Sequence, residues 1–298
     1  MENVEKIKKI RTMAYHETKR HADTMFAFNV YPCTIPQDFS FVPLHWQDSM
    51  ELIYIKRGSG IAQVDFNVFK AQAGDIFVVQ PGHLHGLREL RKTRMEYENI
   101  IFDMSFIGSN CVDICSQKYL QPLIGGKIVF PPHITVDHPM YGQICACLDV
   151  LDDLCARRPT GYELGVKGQL LSVVSLLFQI AREDASYTEE NKNMQKIKRV
   201  LAAIEENYDK KLTVEDMAAG CGYSASHFMR WFKEATGSAF NAYLIEYRLD
   251  RAAAQLRTTG DNILEIAERT GFDNLSNFNR LFKKRFNMTP GQFRKQDL

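Results

Sequence analysis

Two arginines, Arg230 and Arg280, lie at matching places in a segment that occurs twice in the chain. The first copy covers residues 218–233 and the second covers residues 267–283, with one extra residue in its turn. Arginine can donate two hydrogen bonds at once to O6 and N7 of guanine in the DNA major groove. The repeated segment therefore predicts two units that contact double-stranded DNA.

The spacing inside each copy predicts a short helix, a tight turn and a second helix. Phe228 and Phe232 are four residues apart, so they share one helix face and are predicted to be buried. Arg230 lies about 200° around the helix from Phe228 and is predicted to point outward. The outward residues of the two copies are Ser226, Arg230 and Lys233 in the first, and Ser276, Asn277, Arg280 and Lys283 or Lys284 in the second. A solvated face would explain one such helix, but its repetition favours DNA binding.

The net charge of the chain divides between two parts. The 298 residues carry a formal charge of +1, yet residues 1–190 have a net charge of −4 and residues 191–298 one of +5. A basic part on an acidic body is typical of a nucleic-acid-binding module joined to a different domain. The length also predicts two domains.

The composition excludes several classes of protein. With 45% hydrophobic and 24% charged residues, the chain is neither collagenous nor mostly disordered. No apolar run is long enough to cross a membrane and the start of the chain is no export signal, so we expect a cytoplasmic protein without a membrane partner. The seven cysteines form no C-x-x-C pair, which predicts reduced, mostly buried thiols and no structural metal.

The order of the elements predicts a sheet-rich part followed by helices. Short strand-like runs between residues 27 and 106 are separated by turn residues such as Gly58-Ser59-Gly60, as in an antiparallel sandwich or barrel. Two amphipathic helices are predicted over residues 139–158 and 162–182, with a polar linker over residues 182–193. Their apolar stripes predict a dimer interface, although they would also serve to cover one face of the barrel.

A continuous helix over residues 240–258 is predicted to join the two repeated units. Its length would be roughly 27 Å at 1.5 Å per residue. A rigid spacer of that length can place two recognition helices near the roughly 34 Å that separates successive major grooves on one DNA face. One chain could then contact two adjacent grooves.

Residues 197–294 resemble the DNA-binding domain of the AraC/XylS transcriptional regulators. The resemblance rests on three motifs: Phe240-x-x-Tyr243-Leu244-x-x-x-Arg248-Leu249-x-x-Ala252, Ile263-x-Glu265-Ile266-Ala267-x-x-x-Gly271-Phe272-x-x-x-Ser276-x-Phe278-x-Arg280-x-Phe282-Lys283, and Thr289-Pro290-x-x-Phe293-Arg294. It implies a bilobed domain of seven helices that binds tandem major grooves, and an activator would have RNA polymerase as a partner. By position it places DNA contacts on Ser226, Met229 and Arg230, and on Ser276, Asn277 and Arg280.

The N-terminal half resembles the cupin-like sensor domain of sugar-responsive members of the same family. His45 to Gly60 is similar to the first cupin motif, and Gly74 to His85 is similar to the second. Metal-binding cupins have a second histidine where this chain has Gln47. We therefore expect no metal and no cofactor. The expected effector site uses His45, Glu51 and His85 as hydrogen-bonding groups and Trp46 or Tyr54 as a stacking surface.

Taken together, these patterns predict an α+β protein in three parts. Residues 1–138 form a cupin-like effector-sensing β-barrel, residues 139–190 a helical dimerisation segment and linker, and residues 191–298 an all-α double helix-turn-helix DNA-binding domain. We expect a homodimeric transcriptional regulator, an activator rather than a repressor, that responds to a sugar or oligosaccharide and has no catalytic residue. Three alternatives stay open: the polar groups of the barrel bind nothing, the regulator responds to a protein partner or to its own abundance, or the protein is a metal-dependent cupin enzyme with a DNA-binding tail.

Overall fold

The structure is a computed structural model that describes residues 25–38, 41–90, 93–109, 113–183 and 187–295. The chain divides into two compact units, one composed mainly of residues up to 191 and the other mainly of residues from 192 onward. Within the described ranges, no helix has both the length and the apolar character needed to cross a membrane. Each unit has its own hydrophobic core.

The first unit is built on an antiparallel eight-stranded sheet. The strands of the chain are β1 (Phe28–Ile35), β2 (Phe41–His45), β3 (Met50–Val64), β4 (Asn67–Gln72), β5 (Ile76–Val79), β6 (His85–Glu89), β7 (Met95–Phe102), β8 (Ile128–Val129), β9 (His133–Ile134) and β10 (Arg182–Glu183). The order along the main path is β1-β7-β3-β5-β9, while β4 and β6 pair with β3 and β2 pairs with β6. Strands β8 and β10 form a separate pair.

Strand β3 is shared by the two halves of this sheet. Its first part pairs with β5 and β7, and its second part pairs with β4 and β6. The strand bends at a bulge between Ile55 and Arg57 and at Gly58, where φ is +79°. A Cβ at Gly58 would lie 1.9 Å from the carbonyl oxygen of Arg94, so only glycine fits there. The predicted turn at residues 58–60 is therefore wrong: one bent strand continues through it.

Two long helices cover one face of the sheet. After the short helix α1 (Met104–Ile107), a π-helical turn (Ser116–Leu120) and α2 (Gln121–Ile124), the chain forms α3 (Tyr141–Arg157) and α4 (Tyr162–Phe178). The two predicted amphipathic helices are thus confirmed, with the second ending four residues earlier than expected. Leu148 of α3 and Leu170 of α4 are fully buried in the same core as Leu52 of β3. Much of the apolar stripe therefore covers the sheet.

The second unit contains seven helices within residues 187–295. They are α5 (Tyr187–Asn207), α6 (Val214–Cys221), α7 (Ala225–Thr236), α8 (Phe240–Thr258), α9 (Ile263–Arg269), α10 (Leu275–Phe286) and α11 (Pro290–Lys295). The prediction of a linker over residues 182–193 is wrong in part, because β10 occupies its start and α5 already begins at Tyr187. Residues 184–186 of that segment lie outside the described residues. Polar composition alone did not separate a polar helix from a linker.

Helix α8 is the continuous connecting helix that the sequence predicts, with the same bounds. Its Arg248 donates hydrogen bonds to the carbonyl oxygens of Tyr208 and Lys210, at 2.7 Å each, just beyond the end of α5. Gly271, in the turn of the second repeated unit, has a φ of +81° and packs against this contact. A Cβ there would lie 2.8 Å from the Tyr208 carbonyl oxygen and 2.8 Å from Nε of Arg248. These contacts therefore hold three elements together: the end of α5, helix α8 and the turn at Gly271.

Candidate functional site

The first repeated unit places α7 so that one face is buried and the other is exposed. Thr213 and Ser224 cap α6 and α7 by accepting hydrogen bonds from Asp216 N and His227 N. Gly222 makes the turn between them with a φ of +70°. Phe228 and Phe232 are fully buried, as predicted from their spacing. Core packing below α7 therefore fixes which side chains point outward.

All four predicted contact residues of this helix are exposed. They are Ser226, Met229, Arg230 and Lys233. His227 is also exposed at the start of α7, with its ring 4.2 Å from that of Tyr223. The repeat did not single out His227, because Asn277 stands at the matching position in the second copy. A comparison of the two exposed faces, rather than of identical residues, would have included it.

The second repeated unit presents α10 in the same way. Asn274 caps the helix by accepting a hydrogen bond from Asn277 N, and Phe278 and Phe282 are fully buried. The predicted contact residues are again all exposed: Ser276, Asn277, Arg280 and Lys283. Nη2 of Arg280 donates a 2.8 Å hydrogen bond to Oδ1 of Asn277. This bond restricts the guanidinium group before any DNA is bound.

A buried charged pair attaches α10 to α8. Asp250 of α8 is almost completely buried, and Nη2 of Arg285 lies 3.3 Å from its Oδ1. Arg285 also pairs with Glu246 through Nε. Burial raises the pKa of Asp250 to about 7, although Arg285 acts in the opposite direction. Together with the aromatic core, this pair holds α10 against the connecting helix.

Three predicted effector-site residues come together on three strands of the eight-stranded sheet. His45 lies on β2, Glu51 on β3 and His85 on β6, and all three are buried. One possible ligand atom from each side chain lies within 4.8 Å of the others. Glu51 alternates with Met50 and Leu52, which face the helices, so the cluster lies on the opposite, inner face of the sheet.

Backbone carbonyl groups fix both imidazole rings of this cluster. Nδ1 of His45 lies 2.9 Å from the Pro43 carbonyl oxygen, and Nδ1 of His85 lies 3.2 Å from that of His83. Because a carbonyl oxygen can only accept, each Nδ1 must carry a proton and donate it. The second nitrogen of His85, Nε2, lies 3.0 Å from Oε2 of Glu51. The ring nitrogen of His85 that faces away from the backbone therefore lies beside the Glu51 carboxylate.

Gln47 has a role that the sequence analysis missed. It is buried, and its Nε2 donates a 2.5 Å hydrogen bond to Oε2 of Glu51. The sequence analysis treated Gln47 only as the replacement of a possible ligand. Its spacing of four residues from Glu51 was the available signal. The chain turns between Gln47 and the start of β3, and such a turn can bring two side chains four residues apart into contact. Gln47 therefore positions the carboxylate.

The two predicted stacking residues have different positions. Trp46 follows His45 directly and is half-buried. Tyr54 lies three residues after Glu51 on β3, so it points to the other face of the sheet. There its hydroxyl oxygen lies 3.7 Å from Sγ of Cys145 on α3, and burial raises its pKa. The assignment of Tyr54 to a shared site with Glu51 is therefore wrong.

The six cysteines within the described residues are free thiols. Burial raises the pKa of Cys147, and that of Cys155 to about 11, which keeps both thiols protonated. Cys115 is exposed, contrary to the expectation of mostly buried thiols, and Cys111 lies outside the described residues.

Comparisons with known proteins agree with this division of the chain. The family model for an AraC-like ligand binding domain matches residues 34–165, and that for a helix-turn-helix domain matches residues 217–296. The chain is 23% identical to the transcriptional regulator YdeC of Bacillus subtilis over 94% of this chain and 96% of that protein. It is 42% identical to the transposon Tn10 TetD protein of Escherichia coli over 34% of this chain and 74% of that protein.

A third relative is named as an activator. The HTH-type transcriptional activator RhaR of Mannheimia succiniciproducens is 21% identical over 85% of this chain and 87% of that protein. The matches to YdeC and RhaR run through both units, whereas the higher identity to TetD covers about a third of the chain. With a sheet-rich ligand-binding domain followed by two helix-turn-helix units, this chain belongs to the AraC family of DNA-binding transcriptional regulators.

Proposed function

We propose that this regulator activates transcription by reading two adjacent major grooves and that a small polar effector in the sheet-rich domain controls it. The observation that carries the proposal is the pair of capped helices, α7 and α10, each with an exposed arginine above buried phenylalanines. Activation, rather than repression, is supported by the similarity to RhaR, which is named a transcriptional activator. RNA polymerase is then a further partner.

The proposed base and phosphate contacts are the exposed residues of the two helices. They are Ser226, Met229, Arg230 and Lys233 on α7, and Ser276, Asn277, Arg280 and Lys283 on α10. Arg280 is the strongest candidate for a base contact, because Asn277 already holds its guanidinium group. Met229 offers only apolar contact, which suits a thymine methyl group. The first helix-turn-helix unit therefore contributes less hydrogen-bonding specificity than the second helix-turn-helix unit.

The proposed effector is a sugar or oligosaccharide. The cluster of His45, Glu51 and His85 offers two imidazoles and a carboxylate in one buried place. Sugar hydroxyl groups can both donate to the carboxylate and bond to the imidazoles. Trp46 is the proposed stacking surface for a sugar ring. The effector acts by having different affinities for two states of the regulator.

The proposed dimer forms through the outer faces of α3 and α4. Val150 on α3 and Leu164 and Leu171 on α4 are exposed, although the inner faces of the same helices are buried. A two-fold dimer would present four DNA-reading helices to a paired site and so increase the affinity through effective concentration.

The effector proposal is tested by thermal unfolding and DNA affinity of the purified full-length protein against a panel of sugars. A sugar that binds the native state must raise the unfolding temperature, and we expect the same sugar to change the affinity for DNA. Glu51→Gln should remove both responses. Tyr54→Phe, on the other face of β3, is the matched control and should keep them. If a saturating sugar changes neither DNA affinity nor the spacing of the bound sites, the effector proposal fails in favour of a protein partner or of abundance.

The dimer proposal is tested by sedimentation of a surface variant. Leu171→Asp should shift the protein from dimer to monomer, because it places a charge in the proposed interface without disturbing the core. Val136→Asp, at an exposed position outside α3 and α4, is the control and should leave the dimer intact. A monomeric unmodified protein at micromolar concentration would contradict the proposal.

A further inference from the structure

We infer that His227 of α7 is a further DNA contact and that Lys196 of α5 positions it through Tyr223. None of these three residues belongs to the proposed contacts of the two DNA-reading helices. The inference rests on the proposed role of α7 as a helix that reads DNA. It adds a hydrogen-bonding group to the first helix-turn-helix unit, in which Met229 offers only apolar contact.

His227 lies in the first turn of α7 and is exposed. Its backbone N–H is donated to Oγ of Ser224 at 3.3 Å, which fixes the start of the helix. In helix-turn-helix proteins, the N-terminal residues of the second helix contact base edges in the major groove. The matching position in the second unit holds Asn277, which is a proposed contact. The position of His227 therefore suits a contact with DNA.

The imidazole ring of His227 is able to bond to DNA. A neutral imidazole has one nitrogen that donates a hydrogen bond and one that accepts. Within the described residues, neither ring nitrogen has a hydrogen-bond partner, and the bond found for this residue is that of its backbone N–H. Purine N7 atoms in the major groove and phosphate oxygens both accept hydrogen bonds. One ring N–H can therefore donate to either of these acceptors.

Tyr223, in the turn before α7, restricts this ring. The centroids of the two rings are 4.2 Å apart and their planes differ by 44°. Tyr223 also meets the ring of the buried Trp231 edge-on, with centroids 5.3 Å apart. A side chain that is restricted before binding loses less entropy when it forms its contact. The ring contact thus prepares His227 for DNA, as Asn277 prepares Arg280 in the second unit.

Two side chains of α5 hold Tyr223 in turn. Nζ of Lys196 donates a 3.0 Å hydrogen bond to the hydroxyl oxygen of Tyr223 and lies 4.2 Å from the centroid of its ring. The same hydroxyl group donates a 3.3 Å hydrogen bond to Oδ1 of Asn193. A cation at this distance from an aromatic ring adds its attraction to that of the hydrogen bond. Helix α5 therefore fixes Tyr223 and, through it, the ring of His227.

The second unit is built differently at this place. Phe272 stands where the first unit has Tyr223, and a phenylalanine has no hydroxyl group to bond to α5. Its ring is buried and packs against Phe278, with centroids 5.1 Å apart. A phenylalanine is thus sufficient to pack the turn of such a unit. Tyr223→Phe should therefore remove the bonds to α5 without unfolding the first unit.

The first experiment measures the affinity of full-length His227→Ala for a duplex selected from a random library by the unmodified protein. Binding should weaken about 2- to 10-fold, the usual effect of losing one hydrogen bond between uncharged groups. A new selection with the variant identifies the acceptor. Loss of preference at one base pair indicates a base, and an equal loss of affinity on a scrambled duplex indicates a phosphate oxygen. The free energy of unfolding should not change, because the side chain is exposed.

Tyr223→Phe and Lys196→Met test the positioning role. Each should weaken binding to the selected duplex about 2- to 5-fold in the otherwise unmodified protein. Neither should weaken it further when His227 is already alanine, because the effect passes through that ring. Gln195→Ala, the exposed neighbour of Lys196 on α5, is the matched control and should bind like the unmodified protein. Losses that add in full to that of His227→Ala would overturn the positioning role.

Arg230→Ala separates failure of this inference from failure of the proposed function. If Arg230→Ala weakens specific binding while His227→Ala binds both duplexes like the unmodified protein, then His227 is no DNA contact and the inference is overturned. If neither substitution changes DNA binding, α7 does not read DNA and the proposed function itself fails.

Discussion

Arg280→Ala separates base reading from simple attraction to phosphate. The guanidinium group is exposed on α10, and it donates a 2.8 Å hydrogen bond to Oδ1 of Asn277. The core below it consists of Phe278 and Phe282, which the substitution does not touch. We therefore expect the free energy of unfolding to change by no more than about 0.5 kcal/mol.

The expected effect on DNA binding is larger than the effect on folding. Loss of a bidentate pair of hydrogen bonds to guanine costs roughly 1–3 kcal/mol, which weakens specific binding by about 5- to 150-fold at 25 °C. On DNA without the preferred sequence, Arg280→Ala removes one charge and should cost much less. The preorganised contact with Asn277 places the expected loss toward the upper end of the range, because little entropy is lost on binding.

The assay is fluorescence anisotropy with two duplexes, one selected from a random library by the unmodified protein and one with the same bases in scrambled order. Lys284→Ala is the matched control on the same helix and at an exposed position. It should weaken binding to both duplexes and lower the salt slope by about one. If Arg280→Ala weakens binding to both duplexes equally, its base-reading role is refuted.

Two further predictions concern the stability of the helical unit. Gly271→Ala should destabilise the helical unit by at least about 1–2 kcal/mol in chemical denaturation. The backbone of Gly271 is in the left-handed region, and a Cβ there would press on the Tyr208 carbonyl oxygen. Gly220→Ala, in an open helical position, is the control and should be neutral or stabilising. Burial raises the pKa of Asp250 to about 7, above its unfolded value, so the stability that it contributes is present below about pH 4 and is lost as the pH rises toward 7. The free energy of unfolding should therefore fall with pH between about 4 and 7, and Asp250→Asn should reduce this pH dependence by up to about 1.4 kcal/mol per pH unit. An unchanged pH dependence in the variant would contradict the assignment.

The helical unit could be predicted closely because its sequence signals are local. Helix α8 has the predicted bounds since its apolar stripe lies within one continuous segment. The burial of Phe228 and Phe278 followed from helical spacing alone. The start of α5 could not be predicted, because a polar helix and a polar linker have the same composition.

The sheet-rich unit was less predictable because its contacts join distant strands. Taken from the sequence alone, the pair Gly58 and Gly60 indicates a turn. The structure has a bent strand instead, because Gly58 packs against the carbonyl group of Arg94, which is distant in sequence. Tyr54 could have been placed by strand alternation, since it stands an odd number of residues from Glu51. The convergence of His45, Glu51 and His85 was expected only through the cupin resemblance, and the role of Gln47 depends on how a turn folds back.

The spacing of the protected DNA tests the central claim most directly. Hydroxyl-radical footprinting of the selected duplex should show, for each protein chain, two protected segments on one face of the DNA, about 10 base pairs apart. Arg230→Ala should weaken protection of one segment and Arg280→Ala that of the other. A single protected segment per chain, or protection that neither substitution changes, would contradict the account of two outward helices that read adjacent grooves.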